Sequence, residues 1–243
     1  MKAVKVNLGD SSDKRIEIFA DLHLGSARCD YNLIKSRIDF VKNTENAYAI
    51  ILGDLINNST KASVGDVYEE QMSPMNQIKL AVKLFEPIKD KIIGVTAGNH
   101  ERRSYKSDGI DLTYFFCKEL GVEDRYDYTS CVLFMTFGEA EDNHKTTYTL
   151  YMTHGDHSGG RTIGAKANAV QRRSNIVNAD ITVVGHTHAP LAFYDEHFEI
   201  DMKHHAVVKR ETLCVNAGAT LDYEAYAELV GLPPSSKRNP SIV

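Results

Sequence analysis

Short apolar runs recur along the chain, and each stops at a glycine or a polar residue. They are Arg15 to Ala20 before Asp21, Ala47 to Leu52 before Gly53-Asp54, Lys91 to Ala97 before Gly98-Asn99, Tyr148 to Thr153 before His154, and Ile181 to Val184 before Gly185-His186. Runs bounded this way predict buried strands. Helices are predicted at Asp30 to Lys42, Met72 to Glu86 (ended or kinked by Pro87), Asp111 to Leu120, Thr162 to Val177 and Tyr223 to Val230. A second set of strands, partly antiparallel, is predicted at Cys131 to Phe137, Thr146 to Thr153, Ala192 to Ile200 and Val207 to Val215. Strands in two groups with helices outside predict an α/β fold of two packed sheets. Along Thr162 to Val177, the residues Ile163, Ala167, Val170 and Val177 share a helical face suited to the core. Arg161, Asn168 and Arg172 fall roughly opposite, with Lys166 and Arg173 adjoining.

Composition adds limits. The 243 residues are 42% hydrophobic and 25% charged, which allows a sizeable core in a globular protein. No repeat or linker divides the chain, so a single domain over 1–243 is expected. The net charge of −5 argues against a tight non-specific DNA binder, though not against a local groove. Four scattered cysteines form no C-x-x-C pair and no disulfide framework, which fits a reducing cytoplasm. Met1 to Asp10 lacks the apolar segment of a signal peptide, and no run approaches a membrane span, so no membrane partner is expected. The sequence sets no oligomeric state.

The polar residues that end the runs carry the chemistry. Asp21 and His23, two apart in an extended segment, point to the same side. A carboxylate with an imidazole suits Mn, Fe or Zn better than Ca or Mg, although an isolated D-x-H is common. Asp54 has two oxygens that can bridge cations, and taken singly it is an ordinary turn aspartate. Asn99 offers an amide oxygen, His100 an imidazole able to act as an acid near a substrate, and Glu101 a carboxylate able to orient a ligand histidine. With Gly98, these three residues also read as a strand-to-helix turn capped by Asn99. His154 adjoins Gly155, and Gly185 precedes the His186-Thr187-His188 cluster, glycines that permit close backbone approach. His144, His197, His204 and His205 lack this setting and read as surface residues, while His157 stays a minor candidate by its nearness to His154. Ligands in open α/β sheets gather beyond the carboxyl ends of strands, so five loops are expected to converge on one rim.

In this order the motifs resemble those of the calcineurin-like metallophosphoesterases, D-x-H, G-D, G-N-H-[DE], H and G-H-x-H, and the likeness spans Asp21 to His188. The resemblance implies a four-layer α/β/β/α sandwich of two packed mixed sheets with outer helices. It implies two divalent metal ions, manganese first, with iron, zinc or cobalt as alternatives. Asp21, His23 and His188 would hold one ion, Asn99, His154 and His186 the other, and Asp54 would bridge them. A hydroxide shared by the ions would attack phosphorus while His100 assists the leaving group. Asn99 and Arg161, the latter beside Gly159-Gly160, are the expected substrate contacts. Arg102, Arg103 and Lys106 are further cations suited to flanking phosphates, as in a nucleotide or nucleic acid.

The second motif departs from two branches of the family. Protein serine/threonine phosphatases read G-D-x-x-D-R-G, whereas Asn58 here lacks the fork of an arginine. DNA nucleases of the SbcD type carry a histidine where Asn57 stands. The closing stretch from Tyr226 to Pro234 is similar to phage and prophage members. The expectation is a phosphatase or phosphodiesterase acting on a phosphate ester, with a DNA nuclease and a non-catalytic scaffold as alternatives. Retention of all seven ligand positions and His100 argues against the scaffold. Asp66 to Met75 reads as part of a lid or as a surface insertion.

Overall fold

Every apolar run that ends in a motif forms a strand. The computed structural model describes residues 1–10, 13–60, 70–138, 145–155, 160, 162–223, 234, 236–237 and 242. In chain order the elements are β1 (Lys2–Asn7), β2 (Arg15–Phe19), α1 (Tyr31–Asn43), β3 (Ala47–Ile51), α2 (Pro74–Phe85), β4 (Ile92–Thr96), α3 (Asn99–Asp108), α4 (Leu112–Leu120), β5 (Tyr126–Asp127), β6 (Ser130–Phe137), β7 (Thr146–Thr153), α5 (Ile163–Ser174), β8 (Ile181–Val184), β9 (Leu191–Asp201) and β10 (Ala206–Asn216).

One sheet has the order β2-β3-β4-β5 and is parallel throughout. Its strands are joined through helices, the crossover that parallel neighbours require. The other sheet has the order β1-β6-β7-β8-β10-β9. It is mixed: β6–β7 and β9–β10 are antiparallel pairs, and the rest are parallel. The expectation of mixed strand directions therefore holds for the larger sheet, and the smaller one is purely parallel.

The central strands of the smaller sheet, β3 and β4, are buried on both faces, which is why they read as unbroken apolar runs. In β3, Ala49 and Ile51 face the helices, packing with Ile34 and Ile38 of α1, Ile78 and Phe85 of α2 and Phe116 of α4. Ile50 and the following Leu52 face the larger sheet, among Leu133, Met135, Leu150, Met152 and Val183. Gly94 of β4 keeps the sheets close, because a Cβ there would lie 2.6 Å from Met152 Sδ. On the far side, Val170 of α5 packs on Val184 and Cys214. The layers are thus helices, parallel sheet, mixed sheet and helix.

Helix starts follow their caps. Asp30 Oδ1 accepts the Leu33 N–H at 3.0 Å, Asp111 Oδ1 that of Tyr114 at 3.0 Å, and Thr162 Oγ1 that of Ala165 at 3.2 Å. The buried face of α5 differs from the expected one. Ala169, Val170 and Ser174 are buried, whereas Ile163 is 65% exposed and Val177 lies beyond the helix end. Burial is concentrated toward the C-terminal end of α5, so an apolar residue in the first turn has nothing to cover it. The helix expected from Tyr223 falls almost wholly on residues 224–230, outside the described residues. Among the described residues no helix is long and apolar enough to cross a membrane. All four cysteines are free and buried.

Candidate metal centre

The five strand ends meet at one rim, stitched together through the backbone. Asp21 N–H donates to Gly53 O at 3.2 Å, His23 N–H to Asp54 O at 2.9 Å, and Gly185 N–H to His154 O at 3.1 Å. Asp21 Oδ2 accepts the His186 N–H at 2.9 Å, tying a loop of the smaller sheet to one of the larger. The loops of Gly53-Asp54 and Gly98-Asn99 touch main chain to main chain. A Cβ at Gly53 (φ 81°) would collide with the Gly98 backbone, and one at Gly98 would collide with Asp54.

The backbone at the site is strained in one specific way. Asp21 (φ 52°), His23 (48°), Asp54 (47°), Asn58 (41°), His186 (71°) and His188 (54°) are all left-handed. Among the described residues one other non-glycine position shares this conformation, His205 in the β9–β10 turn. A left-handed L-residue costs about 1–2 kcal/mol. Five expected ligands adopt it together, held by the surrounding sheets, which is where functional sites store strain.

Three overlapping groups of donor atoms result: Asp21-His23-His188, His23-Asp54-His100 and Asp54-His154-His186, each within 4.8 Å. His188 Nε2 lies 3.2 Å from Asp21 Oδ1. Asp54 Oδ2 lies 3.4 Å from His154 Nε2, 3.8 Å from His100 Nε2 and 3.9 Å from His23 Nε2. Asn99 Oδ1 is 2.9 Å from His154 Nε2 and 2.8 Å from His186 Nδ1, and those two nitrogens are 3.2 Å apart. Asp21, His23, Asp54 and His154 are buried, while Asn99, His100, His186 and His188 are half-buried and form the open side.

These donors fit divalent metal. Asp21 Oδ1 and both ring nitrogens of His23 are buried without a hydrogen-bond partner. His188 Nε2 faces Asp21 Oδ1 as an ion-pair partner, but the buried His23 nitrogens have no hydrogen bond, which is costly, and a cation would satisfy both residues. Carboxylate, imidazole and amide together suit first-row transition metals. His154 Nδ1 is 2.7 Å from Leu52 O, so it carries a hydrogen and Nε2 is the nitrogen that faces the Asp54 and Asn99 oxygens.

The charges are arranged accordingly. Burial by itself raises the Asp54 carboxyl, but the imidazoles of His154 and His100 outweigh it and hold Asp54 well below the carboxylate range. Asp21 is likewise raised by burial and lowered further by His188 and His154. Burial, then the neighbouring His100, pushes His23 well below the usual imidazole value. Burial lowers His154 and His188, yet Asp54 for the first and Asp21 for the second bring both out above the ordinary value. Burial, aided by the Asp54 charge, raises Glu101.

Glu101 acts differently from expectation. Its carboxylate accepts the backbone N–H groups of Asp54, Ile56 and Gly98, and among the described residues it bonds no histidine. A carboxylate at the third position of a helix reaches back to the preceding backbone, as in a capping box, so it fixes the loops and not an imidazole. Asn99 begins α3, and the cap is Gly98. His100 Nδ1 donates to Asn57 O at 2.5 Å.

Three polar residues escaped the sequence reading as supports. Asn58 is buried and donates to His100 O at 2.7 Å and Ser104 Oγ at 3.0 Å. Gln77 accepts the Asn58 N–H at 2.9 Å. Asn216, at the end of β10, donates to Thr187 Oγ1 and Ala189 O and so braces the loop of His186 and His188. It is the same signal as the motifs, a polar residue closing an apolar run. Arg161, His144 and His157 lie outside the described residues, as do residues 66–69. Glu70 accepts from Asn57 Nδ2 and Ser59 N. His197, His204 and His205 are exposed on the β9–β10 hairpin. Arg102 is occupied by Tyr128, donating to its carbonyl at 2.8 Å and stacking on its ring, and Lys106 is exposed.

The family profile described as calcineurin-like phosphoesterase matches residues 14–190. No curated protein matches the chain. Among solved structures, the chain is similar to a conserved uncharacterized protein, a predicted phosphoesterase from Streptococcus pneumoniae, with 16% identity, 85% of this chain and 72% of that one covered, and a TM-score of 0.35. A single mutant of Vps29 from Entamoeba histolytica is 11% identical over 87% and 78% of the two chains, with a TM-score of 0.41. Vacuolar protein sorting 29 from Cryptosporidium parvum is 13% identical over 85% and 74%, with a TM-score of 0.40.

Proposed function

The chain belongs to the calcineurin-like phosphoesterase family, and from that premise we propose that it hydrolyses a phosphate ester with two divalent metal ions. The observation that carries this reading is the buried donor set without hydrogen bonds, Asp21 Oδ1 and both His23 nitrogens, next to imidazole nitrogens of His154 and His186 only 3.2 Å apart. Asp21, His23 and His188 would hold one ion, Asn99, His154 and His186 the other, and Asp54 would serve both. When bound, the ions supply Lewis acidity at the phosphoryl group and acidify a water molecule toward neutral pH.

The chain's own groups do the rest. Asn99 turns Oδ1 to the two imidazoles, which leaves Nδ2 to donate to a phosphoryl oxygen. His100 commits Nδ1 to the Asn57 carbonyl, so Nε2, which must first take up a proton, is the atom that meets the leaving oxygen and passes that proton on. The Glu101 carboxylate holds the loops of Asp54 and Gly98 in register, so Asp54 and Asn99 need no reorganisation when substrate arrives. Substrate enters on the side of Asn99, His100, His186 and His188. Manganese is the expected metal, and four free buried cysteines fit a reducing cytoplasm.

The experiment is hydrolysis of p-nitrophenyl phosphate against bis-p-nitrophenyl phosphate with added Mn²⁺, followed by single-stranded and duplex DNA. Cleavage of the monoester alone assigns a phosphatase, and cleavage of the diester or DNA a phosphodiesterase. No cleavage of any ester by protein that retains metal contradicts the reading and leaves a scaffold.

A further inference from the structure

Arg103 lies one helical turn after His100 on α3, half-buried, with its guanidinium against the His100 ring. Nη2 donates to His100 Nε2 at 2.9 Å. Nη1 lies 3.1 Å from His100 Nδ1, and 3.2 and 3.3 Å from the carbonyl oxygens of Asn57 and Asn58. His100 Nδ1 already donates to Asn57 O, so it has no lone pair to offer Arg103. The fork therefore rests on one imidazole nitrogen and two main-chain carbonyls, all neutral. Among the described residues Arg103 forms no ion pair with a carboxylate. Burial pushes it below the usual guanidinium value, and Asp54, Glu101 and Glu70 act in the opposite direction from beyond ion-pair distance. The other nearby cations are not poised in this way: Arg102 is spent on Tyr128, and Lys106 is exposed.

A half-buried cation with neutral partners at the open side of an anion-processing site lacks only its anion. Resting on the proposed phosphoester chemistry, we infer that Arg103 binds the non-bridging oxygens of the substrate's phosphate. A guanidinium–phosphate pair is bidentate and charge-assisted, whereas the guanidinium–imidazole contact is single and neutral, so the exchange favours the phosphate. Leaving the imidazole also uncovers His100 Nε2, the atom that faces the leaving group. Substrate binding thereby frees the Nε2 lone pair to take up the proton that His100 needs before it can act as an acid.

The test compares wild type, Arg103→Lys and Arg103→Ala, all loaded with Mn²⁺. Calorimetric titration with inorganic phosphate reads the anion site without turnover, and steady-state kinetics on p-nitrophenyl phosphate and its diester separate KM from kcat. Arg103→Ala is expected to weaken phosphate binding and raise KM by about tenfold to a hundredfold. Arg103→Lys, which keeps the charge without the fork, recovers part of the loss, and metal content stays unchanged in both. Unaltered phosphate binding in Arg103→Ala overturns the assignment, even if kcat falls, because the residue then acts only through His100. A metal-loaded wild type that binds no phosphate overturns it too. Arg103-dependent phosphate binding with no ester cleaved leaves the anion site standing while the hydrolase reading falls. Esters cleaved with equal KM by all three proteins do the reverse. Should Arg103→Ala fail to fold, Arg103→Lys alone decides, by an intermediate or an unchanged affinity.

Discussion

Glu101 and Asp54 are joined through the main chain: Glu101 Oε2 accepts the Asp54 N–H at 3.1 Å and, on the facing loop, the Gly98 N–H at 2.7 Å. Its other oxygen accepts the Ile56 N–H at 3.0 Å. One buried carboxylate thus holds two loops from different strands, and Asp54 answers by accepting the His100 N–H at 2.8 Å. Three donors converge on Glu101, and a neutral amide cannot accept all of them. Glu101→Gln is expected to cost about 2 kcal/mol in urea denaturation and to lower metal occupancy. Unchanged stability would show that the loops are fixed by other contacts.

Gly98 and Gly109 offer a matched pair. A Cβ at Gly98 would collide with Asp54, whereas one at Gly109 meets nothing within 4 Å, although its φ of 69° disfavours it. Gly98→Ala should cost about 2–3 kcal/mol and deplete bound metal. Gly109→Ala should cost about 1 kcal/mol and leave metal content intact. Thermal melts with metal analysis on both variants check this.

His100 shares a donor group with His23 and Asp54 and lies on the open side of the site. Replacing it with alanine should cut turnover by about a hundredfold to ten-thousandfold with metal content unchanged. Turnover equal to wild type would remove it from the mechanism, and lost metal would make it a ligand.

His205 shares the left-handed backbone of the site without its chemistry. His205→Gly should raise stability by about 0.5 kcal/mol, relief of strain outweighing the greater freedom of glycine when unfolded. Activity and metal content should not change. A loss of stability would show that His205 contributes a contact worth more than its strain.

The site was legible because its residues punctuate strands. Asp21, Asp54, Asn99, His154 and His186 each close a strand whose last residues are buried, in the parallel sheet for the first three and in the mixed sheet for the two histidines, and that burial makes the interruption plain. Only the start of α3 was legible, as a strand-to-helix turn; its extent was not, because Asn99 to Ser104 has no apolar stripe and is held by polar contacts from Asn58, Asn57 and Tyr128. β1 alternates lysine with small apolar residues and so lacks an apolar run, and β5 is two residues long. The left-handed conformation of Asp21, His23, Asp54, His186 and His188 has only a weak signature in residue type: aspartate and histidine are enriched there among non-glycines, yet most of them elsewhere are not left-handed. Ile163 misled because periodicity reports which face a helix could bury, and only tertiary packing decides how much of that face is covered.

The account stands or falls on the cations that Asp21, His23, Asp54, Asn99, His154, His186 and His188 gather around. Mass-spectrometric metal analysis of protein reconstituted with Mn²⁺ and freed of excess ion tests it most directly. The prediction is about two ions per chain in the wild type, as in paired-metal hydrolases, and about one or fewer in Asp54→Asn. A wild type that holds no divalent ion, or an Asp54→Asn variant with undiminished content, would contradict it.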